Sequence, residues 1–97
     1  RPAMKLVYSR LALNDLEEIA VYIAQDNPRR AHSFVDELEE RCREIVGNPK
    51  LYPLRDEIIP GLRMATHGDY LIFYREADGG VRVERILHGA RDYTSSF

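Results

Sequence analysis

In this 97-residue chain the spacing of the apolar residues changes near the middle, and this change limits the folds that the chain can adopt. Up to residue 47 the apolar residues recur every three or four positions, which is the period of an amphipathic helix. After residue 61 they form short runs separated by turn residues, a pattern typical of strands joined by hairpins. Three prolines, Pro49, Pro53 and Pro60, mark a loop between the two halves. We therefore expect an α+β domain with its helices and its sheet in separate stretches.

The first half predicts one short strand and two helices. Residues 5–8 alternate as a strand does, and Ser9 can cap the helix that follows. The pair Asn27-Pro28 is a helix start, so the two helices form an αα-hairpin with a very short link. Gly47 is expected to end the second helix in the left-handed conformation. The two apolar stripes are Ala12, Leu16, Ile19, Ala20 and Ile23, then Ala31, Phe34, Val35, Leu38, Cys42, Ile45 and Val46.

The second half predicts three strands, over residues 62–67, 70–75 and 81–88. Gly68-Asp69 and residues 77–80 have the composition of tight turns, so the strands form an antiparallel meander. The middle strand is apolar on both faces and is expected at the centre of the sheet. The helices cover one face of the sheet, and the only further cover that we expect for the other is the flexible tail after Gly89. This arrangement leaves an exposed, partly apolar surface of the kind that binds partners.

The size and charge of the chain restrict its function. A chain of 97 residues buries one modest core and has no room for separate cofactor and substrate domains. Its 14 Lys and Arg against 16 Asp and Glu give a net charge of −2, which disfavours attachment to nucleic acid through the overall field. Twelve of the 14 basic residues are arginine, the side chain best suited to carboxylates and phosphates.

We expect a single domain over residues 5–97, with residues 1–3 a cloning remnant before a natural start at Met4. No apolar stretch reaches the roughly 18–20 residues that a membrane span needs, and no signal segment is recognised. The single cysteine, Cys42, allows no internal disulfide. The expected location is therefore the cytoplasm, without membrane association. Neither a metal site nor a cofactor site is indicated by the Cys and His spacing or by a phosphate-binding glycine loop.

His88 is the residue best suited to acid–base chemistry, because histidine is the side-chain type suited to proton transfer near neutrality and this one ends the last predicted strand just before Arg91. A histidine at a strand end is nevertheless more often a hydrogen-bonded structural residue. Cys42 lies on the apolar stripe of the second helix and is expected to be a small buried hydrophobe. His32 lies beside that stripe and is expected to be solvated.

Five arginines lie on or just after the predicted strands, namely Arg63, Arg75, Arg82, Arg85 and Arg91. A sheet face can present several guanidinium groups together toward an anion or an acidic partner. Ordinary ion pairs with Glu76, Glu84 and Asp92 explain the same pattern equally well. The sequence leaves both interpretations open.

Five segments form a set that can be compared with known families: Asp15-Leu16-x-x-Ile19, Tyr22-Ile23-Ala24, Pro60-Gly61-Leu62-Arg63, Gly68-x-Tyr70-Leu71-Ile72-Phe73-Tyr74-Arg75 and Ile86-Leu87-His88-Gly89-Ala90-Arg91-Asp92. Together they resemble the ParE/RelE superfamily of toxins from bacterial type II toxin–antitoxin systems, and most closely its ParE branch. The resemblance runs from Lys5 to about Asp92. It implies the predicted order of strand, helical hairpin, loop and three-stranded meander, with the helices packed on one face of the sheet.

The RelE branch cuts messenger RNA on the ribosome, and the resemblance puts Arg63 and Arg91 at two of its basic positions. Three other functional positions of that branch are lost here, and they fall on Gly61, Tyr70 and Phe97. The last of these has no hydroxyl with which to replace the tyrosine of that branch. His88 could act as the base instead. The alternative function is therefore a ribosome-dependent mRNA endoribonuclease that uses His88, Arg63 and Arg91.

The ParE branch is described as inhibiting DNA gyrase by binding, and this is the function that the resemblance favours. Such a protein needs no catalytic residue of its own. The resemblance implies a ParD-like antitoxin as partner, with a DNA-binding part and a segment that wraps the toxin. The chain would then form a hetero-oligomer with the antitoxin and reach DNA only through it. A third possibility is a relative that has lost its toxicity and kept antitoxin binding.

Overall fold

The computed structural model describes residues 5–97, so the expected remnant at residues 1–3 lies outside the described residues. The elements are β1 (Lys5–Tyr8), α1 (Arg10–Ala24), α2 (Pro28–Gly47), β2 (Arg63–His67), β3 (Tyr70–Ala77), β4 (Gly80–His88) and a 3-10 helix (Tyr93–Ser96). Their order confirms the predicted α+β fold class. Within the described part of the chain, no helix has the length and apolar character needed to cross a membrane.

The four strands form one sheet in the order β1-β4-β3-β2. The last three strands are antiparallel neighbours, as the meander predicted, whereas β1 runs parallel to residues 80–83 of β4. Between β3 and β4, Asp78 and Gly79 both have positive φ, at 51° and 76°. This is the backbone of a two-residue hairpin turn whose twist matches that of the strands.

Two clusters of buried apolar side chains lie on opposite faces of this sheet. The larger cluster joins both helices to one face, and its members include Leu16, Ile19, Phe34, Leu38, Cys42, Ile45, Ile72, Tyr74, Val83 and Ile86. The smaller cluster consists of Leu62, Phe73 and Leu87. Because β3 contributes fully buried residues to both clusters, the prediction that both of its faces are covered is confirmed.

The second face of the sheet has more cover than the sequence indicated. Tyr93 and Phe97 of the tail lie against Phe73, with ring centroids 5.4 and 5.0 Å apart. The proline-rich loop also covers this face through Ile58 and Ile59, and the prediction that only the tail could do so was wrong. Large exposed apolar side chains also occur on the helical hairpin, where Leu13, Val21 and Tyr22 are 53%, 58% and 69% exposed.

Both helices start as predicted, but α2 ends differently. Ser9 Oγ and Asn27 Oδ1 each accept a hydrogen bond of 3.0 Å from the backbone N–H three residues further on. The expected left-handed cap at Gly47 was wrong, because Gly47 is the last helical residue and its φ is not positive. Asn48 follows with φ of −152°. It precedes Pro49, and a residue before proline is sterically excluded from the helical region, which ends the helix.

Candidate functional site

The three residues of the ribonuclease alternative lie at different places on the sheet. Arg63 begins β2 opposite Tyr74, whereas His88 ends β4 opposite Tyr70. Tyr70 and Tyr74 are four residues apart on β3, so the rows holding Arg63 and His88 are about 13 Å apart along the strands. Arg91 follows β4 and lines the same small cavity as His88. The structure thus brings His88 and Arg91 together and leaves Arg63 at the other end of the strands.

Arg63 is engaged in holding the proline-rich loop. Its guanidinium donates hydrogen bonds to the carbonyl oxygens of Tyr52 at 2.7 Å and Lys50 at 3.3 Å. The N–H of Met64 adds a bond of 3.1 Å to the carbonyl oxygen of Pro53. These contacts attach the loop to the outer edge of β2. Arg63 therefore has a structural role that accounts for its position without a ligand.

His88 lies at one end of a cleft between the helical hairpin and the sheet. Its ring packs edge-on against Tyr70, with the centroids 5.1 Å apart, and its Nδ1 accepts a hydrogen bond of 3.1 Å from the N–H of Ala90. A nitrogen that accepts carries no proton, so in the neutral ring this contact places the proton on Nε2. The structural interpretation of His88 thus has concrete contacts to support it.

The cleft beside His88 has aromatic walls. It encloses about 760 Å³, and we call it the aromatic cleft, defined by Tyr22, Arg30, Phe34, Tyr70 and His88. Phe34 lies 5.5 Å from Tyr70, and the Arg30 guanidinium lies over the Phe34 ring at 5.0 Å from its centroid. Tyr22 of α1 is 69% exposed. Aromatic and arginine side chains of this kind are enriched at protein–protein contact sites.

An ion-pair network adjoins the aromatic cleft on α2. Arg30 binds Glu37 with a shortest distance of 2.6 Å, and Nε2 of His67 lies 3.0 Å from the same carboxylate. The bonds from Arg30 first, and from His67 second, lower the pKa of Glu37 to about 2. The network connects the start of α2 to the end of β2. It also holds Arg30 at the rim of the cleft.

Arg85 is bound inside the protein by a residue that the sequence analysis did not select. Its guanidinium donates two bonds of 2.8 Å to the two oxygens of Asp15, and the N–H of Ile86 donates to the same carboxylate at 2.9 Å. The side chains of Asp15 and Arg85 are only 5% and 13% exposed. One signal was available in the sequence, because Asp15 falls on the apolar stripe of α1 between Ala12 and Leu16.

The reason for this pair is the short length of β1. Pairing between β1 and β4 stops at Val83, where the chain turns into α1, so the next residues of β4 have no strand partner on that side. Ser9 Oγ donates to the carbonyl oxygen of Glu84 at 2.7 Å, and Asp15 accepts from Ile86. Buried backbone groups need such partners. Side chains at the start of α1 therefore replace the missing strand.

Arg75 and Arg82 confirm part of the ion-pair interpretation. They face each other across β3 and β4, and both bind Glu84, with Nε 2.7 and 3.2 Å from Oε2. The other predicted acids have different partners, since Glu76 binds Lys50 at 3.0 Å and Asp92 accepts from a neighbouring hydroxyl. Arg75 and Arg82 thus compete for one carboxylate.

The remaining candidate side chains lie apart from the aromatic cleft. Cys42 is fully buried, as predicted, and burial raises the pKa of its thiol to about 11. His32 is solvated, as predicted, with its side chain 85% exposed. Among residues 5–97, no group of three or more His, Cys, Asp or Glu is arranged to hold a metal ion.

Comparison with solved structures defines the class of fold. The chain of a structure titled "Chromosomal ParDE TA system from P. aeruginosa" superposes with a TM-score of 0.72 and 24% sequence identity. The match covers 88% of this chain and 95% of that one, so the two share their α+β architecture.

Sequence comparison then defines the family. The family model described as "ParE toxin of type II toxin-antitoxin system, parDE" matches residues 6–93. Toxin ParE1 of Mycobacterium tuberculosis, in two strains, is 33% identical over 64 residues, which is 65% of this chain and 65% of the length of those relatives. The chain belongs to the ParE toxin family of type II toxin–antitoxin systems, and the resemblance to the ParE branch is confirmed.

Proposed function

We propose that this chain is a toxin that inhibits DNA gyrase by binding, acts in the cytoplasm, and is neutralised by a ParD-like antitoxin. Family membership supports the toxin class. One structural observation favours binding over RNA cleavage. Arg63 is held by carbonyl oxygens of the loop, and its position on the sheet is about 13 Å from that of His88 along the strand direction.

The chemistry of RNA cleavage explains why this separation matters. Attack by a ribose 2′-hydroxyl needs a base within hydrogen-bond reach of that hydroxyl and cations beside the neighbouring phosphate. The base and the cations must therefore lie within a few ångströms of the reacting atoms. His88 and Arg91 share a cavity, but Arg63 has its guanidinium committed to Tyr52 and Lys50. Phe97 packs edge-on against Phe73 and offers no proton. Inhibition by binding requires no such convergence.

The surface of the helical hairpin supports a protein partner. Leu13, Val21 and Tyr22 are each more than half exposed, and Tyr22 continues into the aromatic cleft. Exposed apolar and aromatic side chains next to a guanidinium are the usual composition of a protein interface. An antitoxin segment that folds on binding would cover such a surface. The toxin would then belong to a hetero-oligomer and contact DNA only through the antitoxin, with no membrane involved.

Two assays on the purified protein test this proposal. The protein is added to a gyrase supercoiling and cleavage reaction, and separately to translating ribosomes that carry a reporter message. We expect lost supercoiling and accumulated broken DNA in the first assay, and an intact message in the second. Cut message with unimpaired gyrase would establish the ribonuclease alternative. No effect in either assay would refute toxin action and favour a module that only binds its antitoxin.

The variant His88→Ala separates the two chemistries further. Under our proposal it keeps gyrase inhibition within a few fold of the unmodified protein. Under the ribonuclease alternative the rate of RNA cleavage falls roughly 100-fold or more, because a general base contributes about that factor to the rate. His32→Ala is the matched control, since its side chain is 85% exposed on α2 and makes no part of the cleft. Circular dichroism of each variant confirms that it is folded.

A further inference from the structure

A second groove lies on the far side of the sheet, where the start of α1, the proline-rich loop and the tail meet. It encloses about 560 Å³. We call it the arginine groove, defined by a rim of Arg10, Arg75 and Arg82 and an apolar floor of Leu11, Ile59, Leu62 and Phe97. We propose that this groove binds a peptide segment of a protein partner in which carboxylates flank a bulky apolar side chain. The inference rests on the proposed function only for the source of the segment, a ParD-like antitoxin.

The charge of the rim is the first argument. Arg75 and Arg82 lie directly opposite each other on β3 and β4, a placement that like charges make unfavourable. They share the single carboxylate of Glu84. Arg10 makes no ion pair with any residue in the described range 5–97. The rim thus has three guanidinium groups against one carboxylate, an excess of two positive charges in a chain whose net charge is −2.

The second argument is that two carboxylates from a partner would complete this network. The side chains of Arg75 and Arg82 are 50% and 40% exposed, so both keep donors accessible to solvent. Guanidinium groups bind carboxylates in a two-bond planar geometry, and such charge-assisted bonds are stronger than neutral ones. An unfavourable local arrangement that the protein compensates only in part, here with one carboxylate for two guanidinium groups, is expected at functional sites. The opposed arginines have that character.

The floor of the arginine groove selects among anionic ligands. Leu11 and Phe97 are 52% and 38% exposed, and Ile59 and Leu62 lie beside them. A free phosphate would use only the rim. A single-stranded RNA would need aromatic faces for its bases, and the groove has one phenyl ring among aliphatic side chains. An acidic segment with Leu, Ile or Phe between its carboxylates matches both the rim and the floor.

The groove is also held in shape before any ligand binds. Arg85, anchored by Asp15, donates a further bond of 2.9 Å to the carbonyl oxygen of Ser96. Phe97 in turn packs edge-on against Phe73. The buried ion pair therefore fixes the tail that forms one wall. A preformed groove loses less conformational entropy when a ligand binds.

The test uses a fluorescein-labelled 12-residue peptide with alternating Glu and Leu as the probe, measured by fluorescence anisotropy with the full chain. Three comparison ligands are a peptide with Gln in place of Glu, a peptide with Ser in place of Leu, and a 12-nucleotide single-stranded RNA. We expect each altered peptide to bind at least about tenfold more weakly. Equal binding of the Gln peptide, or RNA that displaces the probe at lower concentration, would overturn the proposal.

Variants locate the binding site. Arg82→Glu and Arg10→Glu should each weaken probe binding about tenfold or more. The second variant protects the test against misfolding, because an acidic residue in the first turn of a helix is favourable. The matched control Arg29→Glu makes the same change of charge at an exposed position of α2 outside the groove. Its affinity for the probe should stay within twofold of that of the unmodified chain. A peptide with Lys in place of Glu should bind Arg82→Glu better than it binds the unmodified chain. An equal loss of probe affinity in the control and in the groove variants would refute the proposed site.

This experiment separates the inference from the proposed function. Normal probe binding with no effect on gyrase would contradict the proposed target and leave the groove established. Gyrase inhibition without groove-dependent probe binding would refute the proposed peptide site and would leave the proposal of gyrase as the target standing. Amide shift changes in NMR spectra should be centred on the groove, and changes confined to the aromatic cleft would also overturn this assignment.

Discussion

Replacement of Asp15 by alanine should remove a large part of the folding free energy. Asp15 has three bonds of 2.8 to 2.9 Å, two from the guanidinium of Arg85 and one from the N–H of Ile86. Its side chain is 5% exposed, so water cannot replace these bonds without opening the structure. The variant would leave the buried guanidinium of Arg85 with the Ser96 carbonyl oxygen as its remaining acceptor, and the buried N–H of Ile86 with none.

The size of the effect follows from this burial. Removing one partner of a buried ion pair costs about 3–5 kcal/mol, and the unsatisfied N–H is part of that loss. A domain of this length has a total unfolding free energy of about 5–15 kcal/mol. At about 4–8 °C per kcal/mol, Asp15→Ala should lower the melting temperature by about 12 °C or more. If the total is about 5 kcal/mol, this loss leaves only about 0–2 kcal/mol, so a measurable fraction of the variant would be unfolded at about 37 °C.

Urea and thermal unfolding, followed by circular dichroism, measure this loss. Glu17→Ala is the matched control, because it removes an exposed carboxylate from the same helix and should change stability by no more than about 0.5 kcal/mol. The double variant Asp15→Leu with Arg85→Met removes both charges together. It should recover much of the loss, since apolar replacement of a whole buried pair is often close to neutral. A loss below about 1 kcal/mol for Asp15→Ala would contradict a stabilising role for the buried pair of Asp15 and Arg85.

Three further predictions concern other parts of the fold. Gly80→Ala should destabilise the protein by about 1–3 kcal/mol, because the added Cβ would lie 2.6 Å from the backbone nitrogen of Lys5. Gly47→Ala should stabilise it by about 0.5–1 kcal/mol in the same urea titration, because a Cβ at this helical position meets no other atom within 4 Å. The pKa of Glu37 is lowered to about 2 from 4.5, so its stabilising effect is present above pH 4.5 and is lost as the pH falls toward 2. The melting temperatures of the protein and of Glu37→Gln should therefore differ at pH 7 and converge near pH 2; a constant difference would contradict the ion pairs. Burial raises the pKa of Cys42 to about 11, so its thiol should react with a disulfide reagent at pH 8 only after unfolding, and fast labelling of the native protein would contradict this burial.

Much of the fold was predictable because its signals are local. Ser9 and Asn27 cap their helices with side-chain oxygens only three residues from the N–H groups that they satisfy. The turn at Asp78-Gly79 is also defined by two neighbouring residues. Apolar periodicity located the helices and strands for the same reason. The cap at Gly47 was predicted wrongly because the restriction imposed by the next proline outweighs the preference of glycine for a left-handed end.

The candidate site was less accessible to sequence reasoning. His88 was selected by residue type, but its contacts with Tyr70 and Ala90 depend on the pairing of β3 with β4. Likewise Arg63 was assigned to a family position, and only the folded loop reveals the carbonyl oxygens that it binds. Side-chain roles of this kind depend on which distant groups the topology brings within about 3 Å.

Periodicity, caps and turns act over a few residues, so local patterns were enough to predict the order of the elements, the helical hairpin and the meander, and short motifs indicated the family. Contacts between distant residues determine which strand β1 joins, how Ile58 and Ile59 cover the second face, and which acid binds which arginine. Asp15 and Arg85 are 70 residues apart in the chain, and no local pattern specifies their meeting. It follows from the short β1 strand, which leaves part of β4 without a partner and brings the start of α1 to that edge.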